Sequence, residues 1–304
     1  MQIKTIEKNI TNKVEEWLLT ITNEWLRKKI KDNTIVTGGC IASMLLNEKV
    51  NDYDIYIKDV DVLLELVKYY TKDYDKIIIL DGRYKQNLLK EVGITDESIN
   101  YEESNFAYGI AIKNLKEDQI KLFFTDKNGG IKVNDDKPKE ELNYTPLFFS
   151  PNAISLSNNL QIVIRFHGNT EEIHKNFDFV HATNYFTFET GLVNNNEALE
   201  SIITKQLRYQ GSLYPLTSII RMKKFIKRNW NINAGEILKI MFQISELDLK
   251  DPNVLEEQLI GVDIAYFSTL ISILRQLKND KLDSATLNEI IDKVFNSSED
   301  RDEE

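Results

Sequence analysis

The sequence predicts an α+β fold, in which a mixed sheet with helices is followed by an all-helical C-terminal part. Three observations predict it. Val14, Trp17, Leu18, Ile21 and Trp25 recur at helical spacing, giving one amphipathic helix over about 12 to 30. Short β-branched or alternating segments then recur between turns, as at Thr34 to Thr37 and Asp52 to Ile57. From about Glu197 the strand patterns give way to helical ones, with the clearest stripe at Leu287, Ile290, Ile291, Val294 and Phe295.

The elements follow in order. Thr34 to Thr37 reads as a strand, Gly38-Gly39 as a turn and Cys40 to Leu46 as the start of a helix. Asp52 to Ile57 is the next strand, Val60 to Tyr70 a helix and Lys76 to Leu80 a further strand. Beyond, Tyr108 to Ile112, Ile120 to Phe124 and Gln161 to Phe166 are strand candidates, and the polar segment Asp126 to Glu141 reads as a loop. Phe177 to Tyr185 is strand-like, with Phe177 and Phe179 on one face and Asp178 on the other. These readings divide the chain into a mixed part over 1–190, a helical part over 191–296 and an acidic, disordered tail over 297–304.

Composition narrows the chemistry. A chain of 304 residues buries a substantial core, and 28% charged residues with 42% hydrophobic ones suit a soluble protein. No apolar run reaches the roughly 20 residues that span a bilayer, and Met1 to Asn9 lacks the apolar core of a secretory signal, so a cytoplasmic location and no membrane partner are expected. The single cysteine, Cys40, excludes an internal disulfide and a cysteine-built zinc site. A metal would therefore be held by oxygen ligands or histidines, which favours Mg or Mn. The net charge of -10 opposes nucleic-acid binding by the chain as a whole, so the distribution of charge decides that question.

The residues with the strongest chemical content are Gly38, Gly39, Asp52 and Asp54. Gly38 and Gly39 allow backbone to approach a phosphate closely, ahead of a helix that offers free N–H groups. Asp52 and Asp54 are two apart on a predicted strand, so both face the same way and can converge on metal ions. Either feature alone is common: a glycine pair is usually a tight turn, and paired strand aspartates are usually a solvated face. Their succession as strand, Gly-Gly, helix, Asp-x-Asp is far more specific.

Thr37-Gly38-Gly39-Cys40 through Asp52-Tyr53-Asp54 resembles the signature of the polymerase-β-like nucleotidyltransferase superfamily, which includes CCA-adding enzymes, poly(A) polymerases and antitoxin nucleotidyltransferases. The whole chain is also similar to nucleotidyltransferase-like proteins encoded by bacteriophages. The resemblance implies a catalytic domain over 1–190 with an insertion at about 83–160, and Mg-dependent transfer of a nucleoside monophosphate from a triphosphate to an acceptor hydroxyl. The implied acceptor is an RNA 3′ end, with tRNA among the RNAs considered; transfer onto a protein or small molecule, and a decayed nucleotide-binding module, are the rival readings. The third carboxylate of the family best matches Asp178, making Asp52, Asp54 and Asp178 the implied catalytic and metal-binding set, with Asp75, Asp81, Asp118 and Asp126 as competitors. Where many members carry serine after the glycines this chain has Cys40, so Ser43 or backbone N–H groups would contact phosphate.

Two further features bear on partners. Ser201 to Trp230 holds Lys205, Arg208, Arg221, Lys223, Lys224, Lys227 and Arg228 with no acidic residue, a basic island able to cradle triphosphate or RNA backbone, or else a solvated helix face. Within it, Arg221, Lys224 and Arg228 fall on one side, and Met222, Ile226 and Trp230 on the other; Arg221 and Lys224 are the nucleotide-binding candidates. His167, His174 and His181 recur every seven residues but share no helix face, which argues against zinc.

Overall fold

The structure is a computed structural model. It describes residues 2–91, 108, 111–112, 115–125, 130–134, 137, 142–251, 254–255, 258 and 283–292. The expected acidic tail, and Val294 and Phe295 of the last helical stripe, lie outside these residues. The chain forms two compact units: Met1–Ile173 with Asn184–Val193, and His174–Thr183 with Asn194–Glu304. It is an α+β protein, mixed sheet first and helices after.

Two helices open the first unit, α1 (Ile3–Leu19) and α2 (Glu24–Asn33), where periodicity alone predicts one. The break has a local cause. Thr20 turns its hydroxyl back onto the Trp17 carbonyl, and Asn23 caps the second helix by accepting from the Leu26 N–H. Ile6, Ile10, Val14, Trp17 and Leu18 form the buried face of α1, and Trp17 Nε1 donates to the Tyr70 hydroxyl at 2.9 Å.

The strands β1 (Thr34–Thr37), β2 (Tyr53–Ile57), β3 (Ile77–Asp81), β4 (Ile120–Phe124), β5 (Ile131–Lys132), β6 (Pro146–Ser150), β7 (Ala153–Leu156), β8 (Leu160–Val163), β9 (Tyr185–Thr187) and β10 (Gly191–Val193) all belong to this unit. Eight of them form one mixed sheet in the order β10-β9-β1-β2-β8-β7-β6-β5, with β3 and β4 paired separately. At its centre β1 runs antiparallel to β2, and β2 parallel to β8. The helix α3 (Gly39–Leu45) joins β1 to β2, and α4 (Val60–Thr71), capped by Asp59, follows β2. The strand expected at Tyr108 to Ile112 is not one: Tyr108, Ala111 and Ile112 are helical. The short α5 (Lys85–Glu91) and α6 (Thr170–His174) complete the elements up to the second unit.

The second unit is built on α7 (Asn196–Thr204), α8 (Pro215–Lys227), α9 (Ala234–Ser245) and α10 (Ser284–Ile291). One short parallel pair accompanies them, β11 (Gln206–Leu207) with β12 (Asn231–Ile232). Phe177 to Tyr185 is not a continuous strand. Phe179 makes an isolated bridge to Tyr209, and Val180–Ala182 then coil into a 3-10 turn. The packing of aromatic rings around His181 overrides the alternating pattern here: Phe225 lies 4.5 Å and Trp230 4.6 Å from its ring. Burial there, with the Arg228 charge, pushes the His181 pKa down to about 3, so the ring is neutral. No helix among the described residues is long and apolar enough to cross a membrane.

Candidate active site

The strand, turn, helix and strand expected around the glycine pair are all present in the first unit. β1 ends at Thr37, whose hydroxyl donates to the Asn184 carbonyl at 2.9 Å, and Gly38 turns the chain with φ 99° and ψ -153°. That conformation strains any residue carrying a Cβ, so glycine is required there by the backbone. Gly39 then opens α3. It is exposed, and a Cβ built on it would meet nothing within 4 Å, so the protein's own packing does not demand glycine at that position.

Asp54 is the second residue of β2 and Asp52 directly precedes the strand. The Asp54 carboxylate faces the Gly38 Cα, since a Cβ on Gly38 would lie 3.2 Å from Asp54 Oδ2. The other oxygen, Oδ1, accepts from Gln161 Nε2 at 3.2 Å. Asp52 reaches solvent, yet the surrounding protein displaces enough water to raise its carboxyl pKa above the ordinary value.

Cys40 is buried beneath this turn, its thiol 3.9 Å from the Thr37 carbonyl. Burial, and then the negative charge of Asp54, push its pKa up to about 12. A thiol held protonated is a packing group and no nucleophile. Ser43, one turn into α3, is buried at 7% exposure, so the accessible part of the turn is the Gly39 backbone.

Asp178 and Arg221 belong to the second unit, and there they bind each other. Arg221 Nη1 donates to Asp178 Oδ1 at 2.7 Å and Oδ2 at 2.6 Å, and the Ser212 hydroxyl lies 3.4 Å from Oδ1. The Asp178 side chain is 3% exposed and that of Arg221 41%. Thr217 and Ser218 are buried on α8 and Phe225 half-buried, so Arg221 shares their inward side, while Lys223, Lys224, Lys227 and Arg228 are exposed. The division expected on this helix is corrected in two respects: Arg221 turns away from Lys224 and Arg228 to the buried Asp178, and Ile226, placed on the apolar side by spacing, is 48% exposed. His167, the first of the three histidines, bonds the Asp118 carbonyl at 2.8 Å.

Two side-chain contacts around the candidate residues are not legible in the sequence, Gln161 with Asp54 and Arg221 with Asp178. The first depends on β2 pairing with a strand more than a hundred residues later, which spacing cannot reveal. Among the described residues, no three acidic, histidine or cysteine side chains cluster to hold an ion by themselves. The donor set at Asp52 and Asp54 is nonetheless of hard oxygens. It suits a Mg or Mn ion whose remaining ligands are waters and substrate phosphates, the usual manner of Mg binding.

Residues 8–205 match the Gabija anti-defense 2 (Gad2) family, and the chain belongs to that family. No curated protein matches it. Among solved structures it is similar to a Thermotoga maritima CCA-adding enzyme complexed with tRNA, at 13% identity and a TM-score of 0.38, covering 96% of this chain and 62% of that one. A CCA-adding enzyme complexed with CTP gives 15% identity and a TM-score of 0.37, covering 87% of this chain and 53% of that one. An apo CCA-adding enzyme gives 12% identity and a TM-score of 0.39, covering 89% of this chain and 51% of that one. The chain thus spans between 51% and 62% of the length of these three enzymes.

Proposed function

We propose that this protein is a metal-dependent nucleotidyltransferase that moves a nucleoside monophosphate from a triphosphate to an acceptor hydroxyl. The closeness of the Asp54 carboxylate to Gly38 carries this reading, because a carboxylate oxygen stands beside a glycine turn with open space at Gly39. In the reaction the acceptor oxygen bonds the α-phosphorus, the α–β phosphoanhydride bond breaks and pyrophosphate leaves. A bound Mg or Mn ion supplies charge neutralisation on the phosphates. Asp52 and Asp54 would hold that ion, a carboxylate of the pair would take the acceptor proton, and the Gly38-Gly39 backbone would admit the triphosphate. Lys224 and its exposed neighbours offer cations for RNA backbone, while Arg221 and Asp178 are committed to each other.

The acceptor we propose is an RNA 3′ end. A second reading, favoured by membership of the Gabija anti-defense 2 family, places the acceptor hydroxyl on a component of the Gabija defence and makes the transfer an inactivating modification. Incubation with each α-labelled ribonucleoside triphosphate, Mg or Mn, total RNA and purified Gabija components separates the two. Label that ribonuclease removes supports RNA, label that protease removes supports the second reading, and no label in any fraction overturns transfer.

The glycines provide an independent check. Gly38→Ala is expected to lower stability by about 1–3 kcal/mol, from backbone strain and from pressure on Asp54 Oδ2. Gly39→Ala should leave the melting temperature unchanged or slightly higher, since its methyl meets nothing, yet weaken triphosphate binding by filling the space beside the turn. Titration with fluorescent ATP reads this, and unchanged affinity in Gly39→Ala would remove the turn from the phosphate site.

A further inference from the structure

We infer that Gln161 is the positioning residue for Asp54, and that Ser155 in turn sets the orientation of the Gln161 amide. The inference rests on Asp54 being a metal-binding carboxylate, as proposed above. β2 and β8 run parallel with Asp54 and Gln161 as direct partners, and β7 and β8 run antiparallel with Ser155 opposite Gln161. Direct partners in a sheet point to the same face, so Ser155, Gln161 and Asp54 form a row across three strands.

The direction of the hydrogen bonds is fixed by chemistry. An ionised carboxylate only accepts, so the amide must present its NH2 to Asp54, and Nε2 lies 3.2 Å from Oδ1. The amide oxygen then faces the other way, where the Ser155 hydroxyl donates to Oε1 at 3.4 Å. Asp54 is thereby bracketed, with Oδ1 on the Gln161 amide and Oδ2 against Gly38. The two contacts together bear on the plane of the carboxylate. The holder is also uncharged, so it orients Asp54 without competing with it for a cation. An ionised glutamate at 161 would offer no donor, and an apolar residue would remove this one.

Partners that orient metal-binding side chains typically change metal affinity by about 10–100-fold when removed. The readout is the gain in affinity for each of the four ribonucleoside triphosphates on adding Mn2+, measured by calorimetry with the full chain. A residue with a merely structural role would lower the melting temperature without altering that gain. Gln161→Met, which keeps the length of the side chain and deletes both hydrogen bonds, is expected to cut the gain about tenfold at an unchanged melting temperature. Asp54→Asn is the reference and should abolish it. A gain preserved in Gln161→Met but lost in Asp54→Asn overturns the positioning role and leaves the metal reading standing. A gain preserved in Asp54→Asn overturns the metal reading itself. If Gln161→Met fails to fold, Ser155→Ala decides: loss of the orienting hydroxyl should reduce the gain about threefold, the worth of one hydrogen bond, and an unchanged gain overturns the assignment.

Discussion

Replacing Asp52 and Asp54 together with alanine is expected to reduce nucleotide transfer about a thousandfold or more, while the protein still folds. A bound metal contributes several kcal/mol to the transition state of phosphoryl transfer, and each 1.36 kcal/mol is about a factor of ten in rate. Stability should hardly change, because neither side chain anchors the core. Asp52 is exposed, and Asp54 is half-buried with an amide partner that solvent can replace at a cost of about 1 kcal/mol. Thermal melting alongside the labelled-transfer assay checks both halves. A double variant that transfers nucleotide at the normal rate would overturn the assignment of these residues, and one that fails to melt cooperatively would make them structural.

Arg221→Ala is expected to cost about 3 kcal/mol of stability, because it leaves the Asp178 carboxylate buried without its cation. The figure belongs to the lone carboxylate: the Asp178 side chain is 3% exposed, and the Ser212 hydroxyl, 3.4 Å away, carries no charge to replace the guanidinium. Removing both partners should be milder than removing Arg221 alone, so an Arg221→Ala, Asp178→Ala double variant recovers part of the loss. Lys224→Ala, on the exposed side of the same helix, should leave the denaturation midpoint in place. A phosphate-clamping role for Arg221 predicts the opposite pattern, in which stability is kept and triphosphate affinity falls. Urea denaturation of the four proteins, with ATP titration of each, distinguishes the two.

What the sequence made legible followed from local rules. The order Thr37, Gly38, Gly39, then Asp52 and Asp54 could be read as strand, turn, helix and strand, since each step rests on residues a few positions apart. The long helix over 12 to 30 was overread because its apolar spacing continues through Thr20 to Asn23, where side-chain hydrogen bonds to the backbone stop one helix and cap the next. The strand expected at Phe177 to Tyr185 departs for another reason, seen at Asp178. Flanked by Phe177 and Phe179 it has the alternation of a strand, but the bridge to Tyr209 and the rings around His181 set its backbone, and its counter-ion lies forty-three residues further on. Period reveals which face a residue takes; it does not reveal which distant charge meets it.

The route of the chain between the units has a consequence for dissecting this protein. It passes from one to the other after Ile173, Thr183 and Val193, so the ten residues His174–Thr183 and the ten residues Asn184–Val193 are exchanged segments. No single cut separates the units. A fragment starting at Asn194 carries Arg221 without Asp178, and without His181 to fill the space between Phe225 and Trp230. A fragment ending at Ile173 lacks β9 and β10, exposing the edge of β1 that carries the glycine turn. The two halves are therefore interlaced along the backbone, and neither could have been gained, lost or swapped as an independent cassette by one recombination event.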